Sequence, residues 1–129
     1  MSTRVHDVMT PVPWTVPGGC SLEEAARLMR AWDVREVFVV DDGSGALCGV
    51  LTDADIIVIA IASGKSPLVL TAAACATPSA PQLGDDIPIV EALVYMRLHE
   101  AQRVPVVDGG GRLVGAAWYD DVERAARPT

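Results

Sequence analysis

The chain has 129 residues, of which half are apolar and 21% are charged, a composition typical of one folded domain rather than of a disordered segment. Its 17 acidic and 10 basic residues give a formal net charge of −7, which argues against a nucleic-acid partner, because such surfaces contact phosphates through many lysines and arginines. The three cysteines are far apart and form no Cys-x-x-Cys pair. We therefore expect reduced thiols in a cytoplasmic protein, not disulfides or a zinc site.

The N-terminal stretch "MSTRVHDVMTPVP" lacks the continuous apolar region of a signal peptide, so we do not expect export. The first predicted element is a short strand near residues 14–16. After "PGG", Ser21 and Glu24 form a Ser-x-x-Glu box that predicts the start of a helix. The apolar residues expected on one face of that helix are Leu22, Ala25, Ala26, Met29 and Trp32.

Two strands and another helix follow. The β-branched run 37–40 predicts a strand, the turn-rich "DDGSG" follows it, and a second strand ends at Leu51, so we expect a hairpin. The last helix is predicted from about Asp53 to Ser63. Its apolar run, 56–62, is broken by "SGKSP" long before the roughly 20 residues that a membrane helix needs, so no membrane partner is expected.

The chain then repeats itself. The segment from Thr10, "TPVPWTVPGGCSLEEAARLMRAWDVREVFVVDDG", aligns with the segment from Thr77, "TPSAPQLGDDIPIVEALVYMRLHEAQRVPVVDGG". The second copy predicts a helix beginning near Pro88, strands 104–107 and up to Ala117, and a last helix 120–126. The apolar face of its first helix consists of Ile89, Ala92, Leu93 and Met96. We interpret the chain as a duplication with repeats at 1–63 and 71–129 and a linker at 64–70.

The order strand, helix, strand, strand, helix occurs twice, with "VFVVD" and "VPVVD" before the hairpin turn and "GVLTDADI" after it. This pattern resembles a tandem CBS-domain pair, or Bateman module, in the form of a small stand-alone protein. The resemblance implies an α+β fold of two β-α-β-β-α repeats packed about a pseudo-twofold axis. It also implies clefts that hold adenosine-containing ligands such as AMP, ADP, ATP or S-adenosylmethionine, and further pairing into homodimers.

Thr52 and Asp55 have two interpretations. The spacing Thr-x-x-Asp ahead of an apolar run is a capping box, which by itself only starts a helix. As ligand residues, Asp55 could accept hydrogen bonds from both ribose hydroxyls, and Thr52 lies at a helix N-terminus, where unpaired N–H groups favour phosphate. The second copy reads "GAAWYDDV", so Trp118 replaces the threonine while Asp121 keeps the aspartate. Because the fold does not require the box in both copies, we favour the ligand interpretation in the first.

For Asp121 the balance is reversed, and a structural role is favoured. Trp118 either fills the second cleft, stacks on a base there, or packs in the core. The resemblance further assigns adenine to the backbone of Thr15 and Val16 and to the segment from Arg35 to Val37. Arg35 is equally well interpreted as a phosphate partner or as a solvated surface charge.

Neither histidine, His6 or His99, lies beside a cysteine or serine in an arrangement that implies a nucleophile, and no set of metal ligands is visible. We therefore expect no catalytic residues, no metal and no required cofactor. The first hypothesis is a regulatory module that senses an adenine nucleotide or S-adenosylmethionine and passes the change to an unidentified downstream protein. The alternative is a ligand-free module for dimerisation or protein interaction.

Overall fold

The computed structural model describes residues 3–11, 14–78 and 81–128. Over these residues the helices are α1 (Val5–Val8), α2 (Leu22–Trp32), α3 (Asp53–Ser63), α4 (Ala72–Cys75), α5 (Ile89–Leu98) and α6 (Tyr119–Ala126). The strands are β1 (Thr15–Pro17), β2 (Glu36–Val40), β3 (Leu47–Thr52), β4 (Leu83–Gly84), β5 (Arg103–Val107) and β6 (Leu113–Trp118). The α+β class and the β-α-β-β-α order of each repeat are confirmed.

The four-residue helices α1 and α4 were not predicted. They occupy equivalent places, one near the start of each repeat, and they are too short to show a helical period in the sequence. α4 begins at a Thr71 cap, where the Thr71 hydroxyl accepts a hydrogen bond from the Ala74 amide at 3.2 Å. A single turn of this kind is stabilised by packing rather than by its own propensity.

The chain folds as two compact units, Trp14–Ala80 and Met1–Pro13 with Pro81–Thr129, called here unit A and unit B. In unit B, the Val5 amide donates to the Ile87 carbonyl at 3.0 Å and Thr10 pairs with Ala116. In unit A, Thr77 pairs with Val50. The first residues of each repeat thus pack in the unit formed mainly by the other repeat. The units are therefore offset from the sequence repeats 1–63 and 71–129.

Unit A contains a three-stranded sheet in the order β1-β2-β3, with β1 parallel and β3 antiparallel to β2. The hairpin of β2 and β3 is confirmed. Helix α2 buries Leu22, Ala25 and Met29 against this sheet. The prediction was wrong for Ala26 and Trp32: Ala26 is exposed because it is turned about 100° from Ala25, and Trp32, the last helical residue, is 38% exposed.

Unit B repeats this plan with the sheet order β4-β5-β6. Its core takes Ile89, Ala92 and Met96 from α5, as predicted, with Leu93 partly buried beside them. Helix α1 contributes Val5, which is fully buried. No helix in the described ranges is both long and apolar enough to cross a membrane.

The cysteines are free thiols, of which Cys20 and Cys75 are buried and Cys48 is half-buried. Burial raises the pKa of all three thiols. Nearby carboxylates raise the pKa further, those of Glu24 and Asp42 for Cys20 and those of Asp41 and Asp42 for Cys48. Since the thiolate is the reactive species, a raised pKa makes these cysteines poor nucleophiles and poor metal ligands.

Gly49 in β3 lies directly against the backbone of Thr77. A Cβ added at Gly49 would lie 2.6 Å from the Thr77 carbonyl oxygen, and one added at Gly115 in β6 would lie 2.7 Å from that of Thr10. The glycine that opens "GVLT" and "GAAW" is therefore required, because the segment that follows each short helix, with Thr77 after α4 and Thr10 after α1, lies directly on the strand.

We expect Gly49→Ala to lower the free energy of unfolding by about 1–3 kcal/mol, the usual cost of forcing atoms into a packed site. Gly109→Ala is the control, because a Cβ there meets nothing within 4 Å. Urea unfolding of both variants measures the difference. Equal stability of the two variants would contradict the proposed contact.

Candidate functional site

The junction of β3 and α3, called here the unit A corner, contains both principal predicted ligand residues. Thr52 ends β3 and is the N-cap of α3, with extended backbone angles. Its hydroxyl oxygen accepts a hydrogen bond from the Asp55 amide at 3.1 Å, and Asp55 Oδ2 accepts one from the Thr52 amide at 3.1 Å. The capping box is thus formed in full, with both reciprocal bonds.

The cap leaves part of each side chain available. Asp55 is half-buried, and its second oxygen, Oδ1, has no hydrogen-bond partner among the residues that the structure describes. The Thr52 hydroxyl accepts in the cap and its proton has no acceptor within the same residues. A carboxylate offers about four acceptor positions and a hydroxyl also donates, so capping and ligand binding are compatible.

The first backbone amides of α3, in contrast, are already paired. The Asp53 amide donates to the Arg35 carbonyl at 2.9 Å, the Ala54 amide to Asp53 Oδ1 at 2.8 Å, and the Asp55 amide to Thr52. The expectation of unpaired N–H groups at this helix terminus was therefore wrong. The corner also carries negative charge from Asp53 and Asp55, so phosphate gains less here than at an open helix N-terminus.

The remaining predicted residues of the first repeat lie on the same sheet, except for Arg35, which directly precedes β2. Arg35 is exposed, and its carbonyl reaches the unit A corner through the bond to Asp53. Val16 and Val37 are fully buried core residues, so their side chains do not face a ligand. In β1, the Trp14 carbonyl and the Gly18 amide bond to β2, so the peptide groups of the alternating residue Thr15 point to the other edge of the strand.

Glu36 is a residue of the unit A corner that the sequence analysis did not single out. It pairs across the hairpin with Thr52 and is half-buried. A count of the hairpin register back from the "DDGSG" turn would find it if the pairing were regular. However, Val39 of β2 pairs with Gly49 and Val40 pairs with Leu47, so one residue of β3 is skipped. Such an irregularity shifts the count by one residue, which hides the partner.

The equivalent corner of unit B is built differently. Trp118 is the N-cap of α6 but makes no side-chain cap bond. Its indole N–H donates to the Thr10 hydroxyl at 3.3 Å, and the Arg103 guanidinium lies 5.4 Å from the ring centroid. Trp118 is half-buried rather than part of the core, and Asp121 forms an ion pair with Arg124 at 3.3 Å. The protein's own groups thus engage both positions.

A separate surface cavity of 330 Å³ lies in unit B and includes none of the predicted site residues. It lies between the end of α5 and the start of α6, and its lining residues are Met96, Arg97, Glu100, Ala101, Gln102 and Tyr119. We call it the α5–α6 cavity. Among the described residues, no group of three or more His, Cys, Asp or Glu side chains could hold a metal ion.

Comparison with known proteins gives a consistent picture. The family model of the CBS domain matches residues 5–61 and 72–116. Hypoxic response protein 1 of Mycobacterium tuberculosis is 33% identical over 122 residues, which cover 95% of this chain and 84% of that protein. The crystal structure of hypoxic response protein I with two coordinated zinc ions has a TM-score of 0.81, covering 95% of this chain and 98% of that one.

Two further solved structures contain adenosine compounds. CBSX2 of Arabidopsis thaliana in complex with AMP is 27% identical, with a TM-score of 0.76 and 95% coverage of both chains. The CBS-domain pair of protein MJ0100, in complex with 5′-methylthioadenosine and S-adenosylmethionine, is 28% identical, with a TM-score of 0.70 and coverage of 96% and 95%.

We expect Thr52→Ala to destabilise the protein by about 1 kcal/mol, because it removes the acceptor of the Asp55 amide. Thr52→Ser keeps the hydroxyl and is the control. Thermal and urea unfolding of the two variants give the comparison. An alanine variant as stable as the serine variant would show that the box contributes nothing to the fold.

Proposed function

The chain belongs to the CBS-domain family, and we propose that it is a regulatory module that binds an adenosine-containing ligand at the unit A corner. The observation that carries the proposal is the Asp55 carboxylate, which is half-buried, held in place by the cap, and has one oxygen without a partner among the described residues. The ligands named for CBSX2 and MJ0100 support the choice of an adenosine compound.

In this proposal Asp55 Oδ1 accepts from the two hydroxyls of the ribose. Hydrogen bonds to a charged acceptor contribute about 1.5–3 kcal/mol each, enough to select a sugar with both hydroxyls. The peptide groups of Thr15, which point away from β2, supply backbone contacts for adenine. The buried side chains of Val16 and Val37 fix the strands that carry these contacts. Thr52 donates its hydroxyl proton to the ligand.

The charge at the unit A corner determines which ligands of this class bind more tightly. Asp53 and Asp55 are negative, and the first amides of α3 are already paired, so each added phosphate meets repulsion without compensating donors from α3. Arg35 is the basic group nearest in sequence and is exposed. S-adenosylmethionine carries a positive sulfonium beside its ribose, so we propose that it binds more tightly than ATP.

Unit B contributes a weaker adenosine site, or none. Trp118 donates to Thr10 and lies under Arg103, and Asp121 is paired with Arg124. A ribose at Asp121 would have to compete with this ion pair. We therefore propose one ligand per chain.

CBS-domain pairs are generally regulatory rather than catalytic, and we propose the same for this chain, without a required cofactor. Ligand binding stabilises whichever arrangement of the protein it prefers, and the resulting change in population is the signal. Its readout then requires a downstream protein. The reduced thiols support a cytoplasmic location.

Isothermal titration with S-adenosylmethionine, AMP, ADP and ATP tests the proposal. We expect saturable binding of at least one ligand, near one per chain, and a loss of about tenfold or more in Asp55→Asn, which corresponds to about 1.4 kcal/mol. Asparagine keeps an oxygen for the Thr52 amide, so the cap survives while the charge and one acceptor are lost.

The matched control is Asp121→Asn, at the equivalent position of the second repeat, which should leave affinity unchanged. Binding that Asp121→Asn weakens and Asp55→Asn does not would move the site to unit B. The absence of binding by all four ligands would overturn the sensing proposal.

A second candidate function, an interaction or dimerisation module, is favoured by two apolar helix faces. Helix α3 exposes Ile57, Val58 and Ile61, the last of them 77% exposed, and α5 exposes Val90, Val94 and Leu98. At the equivalent positions α6 and α2 carry ion pairs, Glu123–Arg127 at 2.7 Å and Glu23–Arg27 at 2.8 Å. The equivalent positions therefore carry charged side chains suited to solvent on α2 and α6, and apolar side chains suited to a protein partner on α3 and α5.

For this function we propose a homodimer that covers these faces. In sedimentation equilibrium, Ile61→Lys should raise the dimer dissociation constant about tenfold or more, because it places a charge in an apolar contact. Leu68→Lys is the control, since Leu68 is 65% exposed outside the helices. A wild-type protein that sediments as a monomer would overturn the homodimer proposal.

A further inference from the structure

We propose that the α5–α6 cavity of unit B binds a small zwitterion of the α-amino acid class, with its carboxylate on Arg97 and its ammonium group on Glu100. The cavity has 330 Å³, within the usual range of about 300–1,000 Å³ for small-molecule sites. The half-buried Ala101 and Tyr119 in its wall suit the aliphatic part of such a ligand, whereas the Met96 side chain is fully buried and offers no surface to it.

Arg97 is held in position by Tyr119. Its Nε donates to the Tyr119 hydroxyl at 3.0 Å, and its two terminal nitrogens have no hydrogen-bond or ion-pair partner among the described residues. The Glu123 carboxylate, whose charge acts on Arg97 through space, is bound by Arg127 at 2.7 Å. A guanidinium oriented in this way presents paired donors to a carboxylate.

Glu100 supplies the opposite charge. It follows the end of α5 in the left-handed region, with φ of 51°, and its amide donates to the Arg97 carbonyl at 3.2 Å. Its carboxylate has no hydrogen-bond or ion-pair partner in the described part of the chain, Arg97 included, although both residues are exposed and line the cavity. Two opposite charges that do not neutralise each other are complemented by a ligand that carries both.

The first repeat lacks this arrangement and provides matched controls. At the positions equivalent to Arg97 and Glu100 it has Arg30 and Asp33, but Asp53 replaces Tyr119, so no hydroxyl holds Arg30. Asp33 shares the left-handed conformation of Glu100, with φ of 55°. The backbone is thus common to both repeats, whereas the tyrosine that orients the arginine is specific to unit B.

Titration of the ¹⁵N-labelled protein with glycine, L-alanine and L-methionine tests the inference through the backbone amide shifts of Ala101, Gln102 and Tyr119. We expect saturable shifts for at least one amino acid. Arg97→Gln and Glu100→Gln should each weaken binding about tenfold or more. Arg30→Gln and Asp33→Asn should leave it unchanged, and the same spectra show that each variant is folded.

Acetate and methylammonium, which carry one charge each, complete the design. Acetate binding as tight as that of the amino acids, or an unchanged affinity in Glu100→Gln, would overturn the zwitterion site in favour of a simple anion site. The absence of saturable shifts at all three amides would also overturn it. Because these probes contain no adenosine and the site is in unit B, the result is independent of binding at Asp55.

Discussion

The backbone pairing of Thr77 with Val50 is the contact on which the geometry of unit A depends. It brings the segment that carries α4 onto β3, so that Ala72 and Cys75 complete the core beneath the sheet. Glycine is the only residue type that allows Thr77 to lie this close to position 49, because any Cβ there would collide with the Thr77 carbonyl. The last residue of β3, Thr52, is the N-cap of α3. Thr10, Ala116 and Gly115 repeat the device in unit B.

The cap at the unit A corner and the proposed ligand contacts use the same two side chains for different purposes. In the cap, one oxygen of Asp55 and one lone pair of the Thr52 hydroxyl accept hydrogen bonds. These bonds also fix the orientation of the second Asp55 oxygen and of the Thr52 hydroxyl group. A group oriented before binding loses less entropy when the ligand arrives. A capping box and a binding site are therefore not alternatives here, and the helix start supplies the rigidity that a ribose contact needs.

The two repeats have kept one fold while their surfaces have diverged. Thr52 in one corner corresponds to Trp118 in the other, and the apolar faces of α3 and α5 correspond to ion pairs on α6 and α2. Such changes cost little stability, because exposed positions tolerate substitution far better than core positions. Each repeat could thus take on a different role, with an adenosine site proposed in unit A and a zwitterion cavity in unit B.

The sequence by itself determined the duplication, the order of elements in each repeat and most buried positions, because hydrophobic periodicity and helix caps are local signals. It also placed Thr52 and Asp55 together at a helix start. It missed α1 and α4, which are too short for a period, and it placed Ala26 on the wrong face of α2. Only the tertiary structure decided that the Asp53 amide donates to the Arg35 carbonyl, that Trp118 bonds to Thr10, and that Tyr119 holds Arg97 beside the cavity that Glu100 also lines. These facts depend on contacts between residues distant in the chain, and no local pattern encodes which of several possible partners a polar group finds.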